Sequence, residues 1–183
     1  LVIYVDTENA TPLDKLGVMG IDISHRFVYI DCHATEHVFQ VIESTILKAK
    51  TLVAKNIPIL VIWDSLAATS PLAELNGEYE QNTMGLQARV VSKGMRKITG
   101  VIGQNNVTLI IINQLREKFN VMGHGDPYVS PGGKAVPFHA SIRIRLGSGS
   151  PIKDKAGDVI GIHVNFKVNK NKVAAPFRKG EFD

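Results

Sequence analysis

Only one cysteine, Cys32, occurs in the 183 residues, which excludes an internal disulfide and the small secreted scaffolds that depend on them. No apolar run approaches the roughly 20 residues a membrane-spanning helix needs, and no signal-peptide pattern is visible. Internal repeats, low-complexity tracts and a linker-like stretch are missing too, so one domain over residues 1–183 is the expectation, in a reducing cytoplasmic setting. A strong overall charge is also lacking, but what charge there is lies unevenly. The first 133 residues carry 11 Lys/Arg against 13 Asp/Glu, and the remainder 10 against 4. A basic segment of this kind suits nucleic acid, nucleotide phosphates or an acidic partner, and equally a solvated strand face.

What is present is organised around Ile57-Pro-Ile-Leu-Val-Ile-Trp63, an apolar run that ends in Asp64-Ser65. A continuous run predicts a strand buried on both faces, the habit of a mainly parallel sheet covered by helices. Open α/β sheets bind ligands at their carboxyl edge, and an Asp placed there commonly serves Mg²⁺ on a nucleotide phosphate. The plainer alternative is a buried strand whose Asp only closes a turn or caps a helix. Leu1–Val5 reads as a second buried strand ending in Asp6-Thr7-Glu8-Asn9, which brings two carboxylates at i and i+2 toward the same edge. Val107–Ile112 reads as a third, ending in the uncharged amides Asn113-Gln114, and Phe27–Ile30 as a shorter one.

Thr35 has the chemistry of an N-cap, with Glu36 in the first turn of a helix expected to run to about Lys55. Cys32, His33 and His37 invite a metal reading, but with Thr35 as the cap the two histidines do not share a helix face, and no carboxylate or cysteine set completes a shell. Leu66 to Gln81 reads as a long polar loop. A helix capped by Thr83 or Asn82 follows, from Met84 to about Ile102, with Leu86, Val90 (with Val91), Met95 and Ile98 on its apolar face. Arg89, Lys93, Arg96 and Lys97 form a basic stripe along it, by residue type alone a solvated face. Leu115–Gly133 is glycine- and proline-rich without periodicity, with Arg116 and Lys118 beside an apolar Phe119. That mixture suits a clamp on backbone phosphates with a wedge between bases. Ala140–Leu146 alternates, with Ile142, Ile144 and Leu146 on one face and Arg143 and Arg145 on the other. Asp154–Gly157 turns the chain into Val159–Val168.

The run Met84-Gly-Leu-Gln-Ala-Arg89 continued by Met95-Arg-Lys97, the run Ile112-Asn-Gln-Leu-Arg116, the pair Gly132-Gly133, and Lys170-Asn-Lys-Val-Ala-Ala-Pro-Phe177 with Glu181-Phe182 together resemble the bacterial RecA recombinase family, whose pattern phage-borne relatives share. The likeness runs in order through nearly the whole chain. It implies an α/β fold: a P-loop NTPase core with a mainly parallel central sheet flanked by helices and an antiparallel β extension. It implies ATP and Mg²⁺ as ligands, single- and double-stranded DNA as partners, a helical filament of identical subunits, no membrane, and a cytoplasmic, nucleoid-associated setting. By the same resemblance Glu8 is the general base for the attacking water, with Asp6 in its strand-end motif. Asp64 acts on Mg²⁺ directly or through water with Ser65 beside it, Gln114 senses the γ-phosphate, and Lys170 and Lys172 reach a neighbouring subunit's ATP. The segment Glu74–Met84 corresponds to a first DNA loop and Leu115–Gly133 to a second. The DNA-facing residues are then Met84, Gly85, Arg89, Ser92, Arg96, Arg116, Lys118, Phe119, the backbone of Gly132 and Gly133, and Lys134.

Both ends of the chain look cut. The family's phosphate-binding loop with its Lys-Thr would lie upstream of Leu1, so these residues alone are expected to bind ATP poorly or not at all. The aromatic that stacks on adenine in the family has no counterpart near Leu13 and Asp14, and Glu117 stands where an apolar residue is usual. The expected activity is DNA-dependent ATP hydrolysis in homologous recombination and DNA repair. The alternatives are a catalytically silent paralogue that only binds DNA or a true recombinase, and, less well matched, a hexameric helicase or clock-type ATPase.

Overall fold

The computed structural model describes the chain apart from Lys55, Tyr79, Gln81, Asn82 and residues 118–127. In chain order, a first unit, Leu1–Val136, holds β1 (Val2–Asp6), α1 (Leu13–Val18), β2 (Phe27–Asp31), α2 (Thr35–Leu52), β3 (Ile59–Asp64), a single 3₁₀ turn (Leu66–Ala68), α3 (Leu72–Leu75), α4 (Leu86–Gln104), β4 (Val107–Ile111) and the short paired strands β5 (Arg116–Glu117) and β6 (Tyr128–Val129). The chain then runs through α5 (Ala135–His139) into a second unit, Pro137–Asp183, with β7 (Ile142–Lys153), β8 (Val159–Asn171) and β9 (Lys179–Phe182).

The central sheet has the order β2-β1-β3-β4, and every pairing in it is parallel. Its buried face is made by alternate residues: Ile3 and Val5 on β1, and Ile59, Val61 and Trp63 on β3. Both long helices cover that face. Val38, Phe39, Ile42, Ile46 and Ala49 of α2 and Val91, Met95 and Ile98 of α4 complete the core, each at helical spacing. Fully burying an aliphatic or aromatic side chain contributes about 1.5–3 kcal/mol, so this cluster sets the stability of the unit. Because α2 and α4 share one face, Leu60, Ile62 and Asp64 on the other are only half-buried. The expected strand buried on both faces is thus buried fully on one.

Helix starts differ from the sequence expectation. Ala34, in extended conformation, precedes α2, while the Thr35 side chain is buried without a hydrogen-bond partner among the described residues. The Thr35 N–H is instead drawn to the Ser70 carbonyl, and Glu36 turns its carboxylate to the Leu72 N–H. Tertiary contacts have taken over what a cap would do. Helix α4 likewise begins at Leu86, after Gly85 with φ of 73°, and no side chain caps it. The expected polar loop after Asp64 contains the 3₁₀ turn and α3. Helix α2 stops at Leu52, where Val53 leaves helical backbone geometry.

The second unit is an antiparallel sheet of order β7-β8-β9. The β7–β8 turn has Gly157 at φ of 94° and the Asp154 carboxylate accepting from the Ala156 and Asp158 N–H groups. Alternation along β7 is as read, but Ile142, Ile144 and Leu146 are exposed while Arg143 and Arg145 are half-buried. Gly180 lets β9 lie against the Phe166 ring, since a Cβ there would stand 2.6 Å from it.

Candidate active site and nucleic-acid interface

Strands β1 and β3 are neighbours whose chains leave in opposite directions: β1 leads to β2 on one side, β3 to β4 on the other. Ligands bind open α/β sheets in the crevice at such a reversal, beyond the carboxyl ends of the strands. The register puts Asp6 opposite Asp64 at that point. The next residues are stitched together. The Thr7 N–H donates to the Asp64 carbonyl at 2.8 Å, the Thr7 hydroxyl donates to the Ser65 carbonyl at 2.7 Å, and the Ser65 N–H donates back to Thr7 Oγ1 at 2.7 Å. The Asp64–Ser65 peptide is cis. From this frame the Ser65 hydroxyl donates to Glu8 Oε1 at 2.5 Å. Glu8 is exposed on the rim, whereas Asp6 and Thr7 are buried behind it.

The two aspartates have different environments. Asp6 Oδ1 accepts the Glu8 N–H at 2.9 Å, and Oδ2 accepts the Thr11 N–H at 3.1 Å and the Tyr29 hydroxyl at 2.9 Å. Burial pushes the Asp6 carboxyl upward, but these donors outweigh it and hold the group below its ordinary value. Asp6 is therefore a support: both its oxygens are spent on holding the turn that presents Glu8. Asp64 Oδ2 accepts the Tyr4 hydroxyl at 2.6 Å, and Oδ1 accepts no hydrogen bond among the described residues. A half-buried carboxylate with one oxygen to spare fits a hydrated Mg²⁺, which takes one or two protein carboxylates and completes its shell with water and phosphate. Among the described residues no group of three or more His, Cys, Asp and Glu side chains is placed to hold a metal on its own, Cys32, His33 and His37 included.

Gln114 is exposed, just past the end of β4, where the Ile112 N–H still bonds to the Trp63 carbonyl. Its N–H donates to Asn113 Oδ1, and Asn113 Nδ2 donates to the Pro131 carbonyl at 3.0 Å. Asn113 thereby ties the start of the second glycine-rich segment to its end. Lys118 and Phe119, singled out from the sequence, lie outside the described residues. In the second unit, Lys170 stands opposite Arg143 in the β7–β8 register, and its Nζ donates to the Pro137 and Phe138 carbonyls at 2.7 and 2.9 Å. Desolvation, then the Lys172 and Arg143 charges, lower its pKa.

The described residues expected to face DNA fall largely into two grooves. Arg89, Ser92 and Arg96, spaced to share one face of α4, line a cleft of about 450 Å³ together with Lys134, Ala88 and Ala135. Gly132 and Gly133 bring Lys134 there. Both have positive φ, and a Cβ would stand 2.8 Å from Leu66 Cδ2 at the first and 2.9 Å from Ala88 Cβ at the second. Glycine is thus favoured by the left-handed backbone and by packing, against Leu66 of the 3₁₀ turn at the first and Ala88 of α4 at the second, independently of any phosphate. Met84, Gly85 and Arg116 line a second groove of about 350 Å³ with Glu74, Thr83 and Gln87. Lys97 leaves the basic stripe: its Nζ lies 2.6 Å from Glu43 Oε2 on α2.

Sequence reasoning missed Tyr4, Tyr29, Thr7 and Gln87. The tyrosines were findable, because Tyr4-Val-Asp6 and Tyr29-Ile-Asp31 place a phenol on the same strand face as a terminal acid. No sequence signal marked Thr7 or Gln87.

An open parallel sheet with paired strand-end acids at its reversal point, beside a basic helix face, defines an α/β protein of the type that binds ligands at the carboxyl edge. The particular family follows from comparison. Residues 1–183 match the family described as the RecA N-terminal domain. The chain is 45% identical over 183 residues to Protein RecA of Porphyromonas gingivalis, covering 100% of this chain and 51% of that one. It is 39% identical over 180 residues to Protein RecA of Bacteroides thetaiotaomicron (98% and 52%) and 36% identical over 180 residues to that of Sulfurimonas denitrificans (98% and 50%). The chain belongs to the RecA family, as its motifs led us to expect, and spans about half the length of these relatives. Among the described residues no helix is long and apolar enough to cross a membrane.

Proposed function

We propose that the protein carrying these residues is a DNA-dependent ATPase of homologous recombination and repair, which assembles a filament on single-stranded DNA and exchanges strands with a homologous duplex. The observation that supports this most is the exposed Glu8 carboxylate, held by the Ser65 hydroxyl at 2.5 Å, at the sheet's reversal point beside Asp64. A general base needs a fixed carboxylate within reach of a water, and the Thr7–Ser65 stitching supplies the fixing. Asp64 would hold Mg²⁺ through water, with its Tyr4 bond setting the carboxylate's orientation. Bound Mg²⁺ neutralises charge that develops on the transferring phosphoryl group. Gln114 would donate to the γ-phosphate and report its presence to the segment that follows. Lys170 and Lys172 would be supplied to a neighbouring subunit's ATP, which requires Lys170 to exchange its bonds to Pro137 and Phe138. The Arg89, Ser92, Arg96 and Lys134 cleft would take DNA phosphates.

The test is ATP turnover of the full-length protein with and without single-stranded DNA. DNA is expected to accelerate hydrolysis, and Glu8→Gln to lower turnover by roughly 10²–10⁴-fold while filaments still form under electron microscopy. Normal turnover in Glu8→Gln would remove Glu8 as the base. Absence of any DNA-stimulated hydrolysis in the unmodified protein would favour a silent paralogue that binds DNA or a recombinase.

A further inference from the structure

The turn that follows Asp64 meets four other parts of the first unit within five residues. At its start the Ser65 hydroxyl holds Glu8. In its middle the Leu66 N–H donates to the Ile112 carbonyl at 3.0 Å, two residues before Gln114, and the fully buried Leu66 side chain packs where Gly132 has no Cβ. At its end the carbonyls of Leu66 and Thr69 face α4, and the Gln87 side-chain amide donates to both, at 3.4 and 2.7 Å. Within the turn the Leu66 carbonyl already accepts the Thr69 N–H at 3.2 Å and the Thr69 hydroxyl at 2.9 Å, whereas the Thr69 carbonyl finds its donor among the described residues in Gln87, on the first turn of another helix.

Gln87 lies two residues from Arg89, so the two side chains leave α4 in widely separated directions: Arg89 into the 450 Å³ cleft and Gln87 into the Ser65–Thr69 turn. A helix turn is stiff. A shift of the start of α4 caused by phosphates in the cleft therefore moves the Gln87 amide, and with it the turn that carries Ser65. Because Ser65 is locked to Thr7 through two hydrogen bonds and to Glu8 through a third, displacement reaches the carboxylate with no loose link between.

We propose that Gln87 is a positioning residue that couples occupancy of the α4 cleft to Glu8 through the Ser65–Thr69 turn. It makes hydrolysis responsive to DNA without touching ATP. The inference rests on the function proposed above and adds to it a route from the DNA-facing helix to the base that is separate from Gln114. A merely structural Gln87 would satisfy two carbonyls and no more; its loss would lower stability and leave the kinetics of the folded protein alone.

The experiment uses the full-length protein with Gln87→Leu and Gln87→Met, two side chains of similar size without an N–H donor, so that either one that folds suffices. ATP turnover is measured with and without an oligothymidine strand, and strand affinity by fluorescence anisotropy. The DNA-stimulated kcat is expected to fall about tenfold in either variant, with KM for ATP and strand affinity within about twofold of the parent. Ser65→Ala is expected to slow the reaction similarly, and the Ser65→Ala, Gln87→Leu double variant to be no slower than Ser65→Ala alone, since both act on one contact. Full DNA-stimulated kcat in the folded variants, or losses that multiply in the double variant, would overturn the proposal. A parent protein that shows no DNA stimulation at all would instead remove the proposed function, a result read before any variant is made.

Discussion

The Tyr4 hydroxyl donates to Asp64 Oδ2 at 2.6 Å across the β1–β3 pair, although Tyr4 itself stands opposite Ile62 in the register. The same offset recurs one strand over, where Tyr29 on β2 donates to Asp6 on β1 at 2.9 Å. The two rings lie stacked, with centroids 6.2 Å apart and planes 10° from parallel. Each strand thus lends a phenol to the terminal acid of its neighbour, and the acids are oriented by packing and not by solvent. Tyr4→Phe keeps the ring and deletes the donor. A hydrogen bond to a charged group contributes about 1.5–3 kcal/mol, and a half-buried one belongs near the lower end. We expect a loss of about 1.5 kcal/mol, read as a lower urea midpoint at unchanged slope.

Both edges of the pH–stability curve follow from these contacts. Burial, and then the bonds to Asp64 and Asp6, push Tyr4 and Tyr29 from 10.0 to about 12. The folded chain keeps those protons where the unfolded chain has shed them. Their contribution is therefore complete below pH 10 and is lost as pH rises through about 12. Asp6 has the opposite sign. It is held below 3.8, so its contribution is present above that pH and disappears as pH falls through the folded value. Urea midpoints measured across pH should show Tyr4→Phe and Tyr29→Phe flattening the alkaline limb and Asp6→Asn the acid one. An unchanged acid limb in Asp6→Asn would mean that other carboxylates carry it.

The strand-end acids were legible because a buried apolar run that ends in a charge is costly anywhere but at a sheet edge. Unbroken apolar runs likewise found β1, β3 and β4, and helical spacing found α2 and α4. What escaped was whatever depends on a partner distant in sequence. Thr35 has the right chemistry for a cap, yet its N–H is claimed by Ser70 and its side chain is buried. The glycines at 132 and 133 were read as openings for phosphate, and the structure adds a packing reason at Leu66 and Ala88 that no local pattern encodes. Lys97 belonged to the stripe by spacing and to Glu43 by contact. Alternation on β7 separated two faces correctly but said nothing of which is covered. Gln87 sat inside a motif read as DNA-facing, while its amide turns inward.

Gly94 of α4 is a packing glycine. A Cβ there would stand 2.3 Å from both Cδ2 and Cε2 of Phe39 on α2, and that ring is held edge-on against Trp63 with centroids 5.1 Å apart. Gly94→Ala gains about 1 kcal/mol of helix propensity, but overpacking a core typically costs about 1–3 kcal/mol and here the ring has nowhere to retreat. Destabilisation by about 2 kcal/mol is expected on thermal or urea unfolding. Phe39→Leu made in the same chain should recover part of it. A Gly94→Ala protein as stable as its parent would mean that α2 and α4 separate more easily than their packing implies.

The basic stripe on α4 divides into two populations that a salt titration separates. Arg96 lines the cleft with Arg89, Ser92 and Lys134, whereas the Lys97 ammonium lies 2.6 Å from Glu43 Oε2. If the cleft takes DNA phosphates, removing one cation from it releases one fewer counterion. The slope of log affinity against log salt on single-stranded DNA then becomes shallower by about 0.7. Arg96→Ala in the full-length protein should show that change together with weaker binding at every salt concentration. Lys97→Ala should leave the slope alone and cost under about 1 kcal/mol of stability, the usual worth of a partly exposed ion pair. Equal slope changes in the two variants would mean that the strand follows the whole stripe, and the cleft would lose its claim to be the contact face.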